Sequence, residues 1–205
     1  MIAVLDYGVG NVSSIINMFK KIGVPAIPTN DIAEIEKADK LVLPGVGSFD
    51  AGMNKLNSSG MVEAIKNHAL NEHKPLLGIC LGMQMLGRKS EEGNESGLGL
   101  IPFDNKRFEI DGIPQLKVPH MGWDITINNI KDDPLVECLT PLQRYYFVHS
   151  YHAVCDSEEN VLMRCDYGYS FAAAVKKGNI YGVQFHPEKS HKFGMELLSN
   201  FARRV

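Results

Sequence analysis

Pro75-Leu76-Leu77-Gly78-Ile79-Cys80-Leu81-Gly82-Met83-Gln84-Met85-Leu86 is the stretch from which the rest of the chain is read. Residues 75–79 form a short apolar run of strand length, and 83–86 open a helical run, so G-x-C-x-G at 78–82 falls on a tight strand-to-helix turn. A residue at the apex of such a turn has a strained backbone, and Gly78 and Gly82, two positions either side, relieve the crowding. A thiol there stands at a helix N-terminus, whose partial positive charge favours thiolate. The free N–H of Leu81 would point to where an oxyanion develops. On the pentapeptide alone, a buried structural cysteine fits equally well.

Upstream, short apolar strands alternate with helical stretches. Residues 1–6 read as a strand and Asn11–Lys21 as a helix with an Ile15, Ile16, Phe19, Ile22 stripe. Residues 24–28 read as a strand, Ile32–Lys37 as a helix and Lys40–Leu43 as a strand ending in the turn signal Pro44-Gly45-Val46-Gly47. Met61–His73 reads as a helix. This alternation predicts an α/β fold with a mostly parallel sheet and helices on both faces. Downstream, strand signals dominate: Phe108–Ile110, Asp124–Ile127, Arg144–Tyr151, Val161–Cys165, Phe171–Lys176 and Ile180–Phe185, before a final helix over Lys192–Ala202. With no internal repeat or linker, the reading is one domain, 1–205, with antiparallel strands added in its C-terminal half.

Composition narrows the function classes. The chain has 205 residues, 44% hydrophobic and 22% charged, with a net charge of −3. That gives no basic footprint for nucleic acid or an anionic membrane. No apolar run reaches the roughly 18–20 residues of a membrane span, and the N-terminus enters a strand without a leader pattern, so a cytoplasmic location is expected. Cys80, Cys138, Cys155 and Cys165 have no C-x-x-C spacing, so neither a metal site nor thioredoxin-type chemistry is expected.

Near the C-terminus stands Gly182-Val183-Gln184-Phe185-His186-Pro187-Glu188. Pro187 pushes His186 towards extended geometry, which lets positions 186 and 188 point to the same side. Glu188 can then hold one imidazole nitrogen while the other takes a proton from a nucleophile. H-P-E alone is weak evidence and fits a histidine that merely caps a strand better than a catalytic pair. Together with a cysteine turn far upstream, it makes a nucleophile, base and orienter.

GICLGMQ at 78–84, GVQFHPEKS at 182–190, LPGVGSFDAGM at 43–53, PHMGW at 119–123 and YYFVHSY at 145–151 resemble the class I (triad) glutamine amidotransferases, most closely the glutaminase subunits of imidazole glycerol phosphate synthase. The likeness runs over nearly the whole chain. It implies a flavodoxin-like α/β fold and release of ammonia from glutamine without metal or cofactor. Cys80 would be the nucleophile, His186 the base and acid, and Glu188 the orienter. Leu81, Val46 and Gly47 would form the oxyanion hole, the Gly45-Val46-Gly47 segment reorienting when the partner is active. Gly47, Gln84 and Glu92, with the backbones of Ser150 and Tyr151, would hold glutamine. Trp123, Tyr146 and Lys189 would face a (β/α)₈ barrel synthase in a heterodimer that channels ammonia for histidine biosynthesis. Read without the family, Glu92 is a solvated acid beside Glu91, and Trp123 and Tyr146 are core aromatics.

Three other readings differ in what they expect. Asp124 stands where the histidine-pathway pattern usually has Asn after PHMGW. HSYH at 149–152 and EKSHKFGM at 188–195 also resemble paralogues that feed ammonia to a synthase making an acetamidino sugar. A non-catalytic relative would lack the triad residue types, which are present here. An α/β-hydrolase would carry its acid well before the histidine, whereas Glu188 follows it by two.

Overall fold

Residues 1–140 and 142–205 are described by the computed structural model. The strands are β1 (Ile2–Leu5), β2 (Ala26–Thr29), β3 (Lys40–Gly45), β4 (Leu76–Cys80), β5 (Phe103–Arg107), β6 (His120–Asn128), β7 (Gln143–His149), β8 (Tyr151–Cys155), β9 (Val161–Tyr167), β10 (Tyr169–Lys177) and β11 (Ile180–Val183). The helices are α1 (Val12–Lys21), α2 (Ile32–Lys37), α3 (Phe49–Ser58), α4 (Val62–Lys66), α5 (Leu81–Leu86) and α6 (His191–Arg203).

One sheet runs in the order β2-β1-β3-β4-β11-β10-β9-β6-β7, with β5 and β8 paired alongside through β10. The first five strands of that order are parallel to one another, and from β11 to β7 the pairing is antiparallel. Every residue of β1 and β4 is buried, as strands covered on both faces require. Alternation along β1 splits its side chains: Ala3 and Leu5 pack with Phe49 and Leu56 on one face, while Ile2 and Val4 pack with Ile15, Phe19 and Phe201 on the other. Fully burying each of these large side chains stabilises by roughly 1.5–3 kcal/mol.

Local signals set the helix starts. Asn11 caps α1 by accepting from Ser14 N at 3.3 Å, and Asp31 caps α2 by accepting from Ala33 N at 2.9 Å. Among the described residues, no helix is long and apolar enough to cross a membrane.

The structure corrects four sequence expectations. Phe49–Ser58, unassigned in the sequence, is a helix, whose Phe49, Met53 and Leu56 face the core through a run otherwise rich in Asn, Ser and Gly. Residues 108–110 form no strand; β5 lies just before them at Phe103–Arg107 and pairs with β8. The alternation of Phe108 and Ile110 reflects burial in the core rather than ladder pairing. The strand read over Arg144–Tyr151 is two, β7 and β8, broken at Ser150. The helix read over Met61–His73 stops at Lys66 and continues as a wider π turn over Asn67–Asn71.

Candidate active site

Cys80 ends β4 and opens α5 with φ +54° and ψ −111°. A positive φ outside glycine costs on the order of 1–3 kcal/mol and persists only where packing enforces it. Here the enforcement is steric. A Cβ on Gly82 would sit 1.9 Å from Leu43 O, and one on Gly78 would sit 2.7 Å from Gly82 O. A third glycine completes the contact: Gly45, paired with Cys80 in register, would place a Cβ 2.7 Å from Gly82 N. The elbow is therefore squeezed between β3 and its own helix, with the thiol at the first turn of α5.

His186 follows β11 in extended conformation, and Pro187 starts the short 3₁₀ turn Pro187–Lys189. Its backbone N–H donates to Tyr146 O at 2.9 Å, which fixes the residue against β7. Nδ1–H donates to Glu188 Oε1 at 2.8 Å, with both side chains almost fully buried. Nε2 is also buried and completes no hydrogen bond of good geometry with a protein group. Burial lowers the His186 pKa, but the adjacent Cys80 and Glu188 outweigh it and push it up to about 10. Gln184, two residues before His186 and so on the same side of the chain, points Nε2 at Cys80 Sγ from 3.9 Å.

Cys80 and His186 open into one cavity of about 560 Å³, which also takes in Val46, Gly47, Leu81, Gln84, Glu92, Tyr151 and Lys189. That volume suits a small ligand. Glu188 sits behind His186, outside the lining. Gln84 Nε2 donates to Tyr151 O at 3.1 Å and to Gln184 Oε1 at 3.0 Å, so one amide ties α5 to the start of β8 and to the segment that follows β11. Glu92 Oε2 accepts from Phe49 N at 2.8 Å, where α3 begins. Ser150 does not line the cavity. Trp123 and Tyr146 lie outside the lining, their rings 6.3 Å apart edge to face, with Lys189 Nζ 5.6 Å over the Tyr146 ring. Trp123 is an exposed tryptophan, not a core one, and Met121, Ile125 and Ile127 are exposed beside it along β6.

Sequence reasoning missed Gly10, Asn11, Val148 and His149, which also line the cavity. Asn11 carried a legible signal as a helix-cap residue. His149 stood inside the quoted YYFVHSY and HSYH stretches, but its place beside His120 depends on the pairing of β6 with β7. Among the described residues, no group of three or more His, Cys, Asp or Glu is disposed to hold a metal ion.

Such a site can present a sulfur nucleophile, a base held in one tautomer, and backbone N–H donors at the start of α5. Comparison with known proteins points the same way. Residues 3–205 match the family described as glutamine amidotransferase class-I. The chain is 48% identical over 205 residues, all of both chains, to imidazole glycerol phosphate synthase subunit HisH 2 of Pseudomonas aeruginosa. It is 51% identical over 205 residues, again all of both, to the protein of that name from Methanococcus maripaludis. Among solved structures, that of PurLQS from Thermotoga maritima superposes with a TM-score of 0.73 at 18% identity, covering 98% of this chain and 96% of that one, a likeness of fold.

Proposed function

We propose that this chain, which belongs to the class-I glutamine amidotransferase family, is the glutaminase subunit of imidazole glycerol phosphate synthase. It hydrolyses glutamine to glutamate and ammonia, and passes the ammonia to a (β/α)₈ synthase subunit in a cytoplasmic heterodimer of histidine biosynthesis. One domain, 1–205, carries the whole glutaminase site. The observation that carries the reading is the line formed by the strained Cys80, the unpartnered Nε2 of His186 and the Glu188 carboxylate 2.8 Å behind it.

The Cys80 sulfur attacks the glutamine carboxamide carbon, and the carbonyl π pair moves to oxygen. Leu81 N–H and the backbone of Val46–Gly47 receive that oxyanion. His186, held by Glu188, gives its Nε2 proton to the leaving nitrogen, so ammonia departs and a γ-glutamyl thioester remains. Water then loses a proton to His186 and attacks the thioester, which returns the sulfur and yields glutamate. Gly47, Gln84, Glu92 and the backbones of Ser150 and Tyr151 hold the amino-acid end of glutamine. Trp123, Tyr146 and Lys189 meet the synthase, at the edge of the same cavity. Loss of one oxyanion donor costs on the order of 10²–10³ in rate. A Val46–Gly47 turn not yet aligned therefore leaves the isolated subunit nearly idle until the partner docks.

Asp124 favours a second reading in which the same half-reaction feeds a synthase for an acetamidino sugar. Introducing the chain into a histidine auxotroph that lacks its glutaminase subunit decides between the acceptors. Growth without histidine supports the first reading; no growth despite glutamine-protected labelling of Cys80 by a glutamine-analogue electrophile moves the chain to the second. Absence of such labelling removes both.

A further inference from the structure

A line of polar groups that the glutaminase chemistry leaves unused runs from the cavity wall to the surface of β6. His149 Nδ1 lies 2.8 Å from Tyr151 O, and His149 Nε2 lies 3.1 Å from His120 Nδ1. His120 Nε2 lies 3.2 Å from Asp124 Oδ2. His120 and His149 face each other directly across the β6–β7 ladder. His120 is 2% exposed, stacked 4.0 Å from Tyr167 and 4.8 Å from Phe147, whereas the Asp124 side chain is 38% exposed. Among the described residues, the two imidazoles make no hydrogen bonds besides these.

Counting protons shows what this arrangement demands. A peptide carbonyl stands at one end and a carboxylate at the other, and both only accept. Three contacts need three protons, yet two neutral imidazoles supply two. The line closes only with one proton more. An asparagine at position 124 would bring its own N–H donors, and the line would then close with both histidines neutral.

We propose that Asp124, His120 and His149 are positioning residues that share this one proton and thereby fix the Tyr151 carbonyl in the glutamine pocket. The role rests on the glutaminase reading of that pocket. When the proton leaves, the shortage moves to the inner end. A hydrogen bond to an ionised carboxylate is roughly twice as strong as a neutral one, so Asp124 keeps the Nε2–H of His120. His120 Nδ1 then has no hydrogen, and His149 must offer Nε2–H in its place, which takes the proton away from Nδ1. Tyr151 O keeps only its bond from Gln84, and the pocket wall loosens. The charged and titratable neighbours are few. His152 and His186 face His149, Tyr167 stacks on His120, and Arg164, Cys165 and Asp166 line a surface cavity with Asp124. Burial lowers the His120 pKa while Asp124 pulls it up, so the proton leaves as pH rises from acid towards neutral.

Imidazole nitrogen resonances of the full-length chain, followed over about pH 5–8, test this directly. In the wild type His120 should be protonated on both nitrogens at low pH, and His149 should switch from Nδ1–H to Nε2–H as His120 loses its charge. In Asp124→Asn both rings should stay neutral, with Nδ1–H retained throughout. Protection of Cys80 by glutamine against a thiol alkylator supplies the functional arm, taken as a protection constant at each pH. It should weaken roughly threefold to tenfold across the wild-type transition, the scale of one lost hydrogen bond, and stay flat in Asp124→Asn. A wild-type His149 that keeps Nδ1–H at every pH overturns the proposal, as does an Asp124→Asn chain that titrates like the wild type. The tautomer result is readable whether or not glutamine is the ligand, so its failure is separate from failure of the glutaminase reading.

Discussion

Two glycine-bearing turns flank the cavity, and they use glycine for opposite reasons. At the end of β4 glycine makes room: Gly78, Gly82 and Gly45 let three backbones meet at distances that leave no space for a Cβ. At the end of β3 glycine gives freedom: Gly47 has φ +96°, and a Cβ built there would meet nothing within 4 Å. The chain is closely packed through Pro44, whose carbonyl accepts the Tyr7 hydroxyl at 2.5 Å, and Gly45, and it opens to solvent at the next residue, with Val46 44% exposed. The Cys80 turn is thus locked by packing, while a side chain at Gly47 would meet open space. On the proposed function, that division leaves the strained group already in place, and a rotation of the Val46–Gly47 peptide would supply the missing oxyanion donor.

The largest expected effect tests the locked turn. Cys80→Ala should lower glutamine turnover on the order of 10⁴–10⁶-fold with the fold intact, as for loss of other catalytic nucleophiles. It should also bring the His186 titration down from about 10, because burial already lowers that pKa and one of the two groups opposing it would be gone. Turnover that survived this change would end the assignment of Cys80, and an unmoved His186 titration would break its contact with the sulfur.

Exchanging the glycines sharpens the contrast. Gly82→Ala forces a methyl group into Leu43 O and should cost at least about 1–3 kcal/mol in denaturant unfolding. Gly47→Ala meets no atom and pays only for its positive φ, about 1–2 kcal/mol. It should nevertheless cost on the order of 10²–10³ in partner-stimulated turnover if the peptide there must rotate into the oxyanion hole. Equal stability losses with equal activity losses would erase the distinction between the turns.

The same divide separates the two halves under acid. Burial holds the His149 pKa down to about 3 and lowers His120 and His152 as well, all in the antiparallel half, while His68 alone is so lowered on the parallel side. A histidine with a depressed folded pKa contributes stability that is present above its ordinary value of about 6.5 and is lost as pH falls towards the folded pKa. Hydrogen exchange at pH 4 should therefore show β6 and β7 opening before β1, β3 and β4. Uniform loosening of the sheet would contradict this.

What could be read from the sequence follows the same physics. The parallel strands and the cysteine elbow were legible because short apolar runs and glycine spacing are local signals. His186 and Glu188 were legible because a proline fixes their relative direction. Gly45 as a wall of the elbow was not, since its role depends on its register with Cys80, which is a long-range fact. Helix α3 was hidden by Asn and Ser on its exposed side and by the buried Gly52, where a Cβ would lie 2.8 Å from Leu81 Cδ2; close packing there replaces helix propensity. The line from His149 to Asp124 was invisible for the same reason as Gly45. Its members lie on two strands, and only pairing puts them in contact.

The smallest effect concerns Glu92, a side chain that ties the far end of the Val46–Gly47 turn to the cavity wall. Its Oε2 accepts the Phe49 N–H at the start of α3, two residues after Gly47. Glu92→Gln retains an oxygen able to accept that bond and removes only the charge at a helix N-terminus, an effect of about 0.3–1 kcal/mol on stability. If Glu92 serves only to cap α3, the change in unfolding midpoint should be the whole effect. If it also receives the α-ammonium of glutamine, KM should rise about tenfold or more while kcat changes little, because a charge-assisted bond made equally in ground and transition states is lost. A fall in kcat at constant KM would instead mean that the anchoring of α3 matters to the Val46–Gly47 turn, making Glu92 part of the adjustable side of the site.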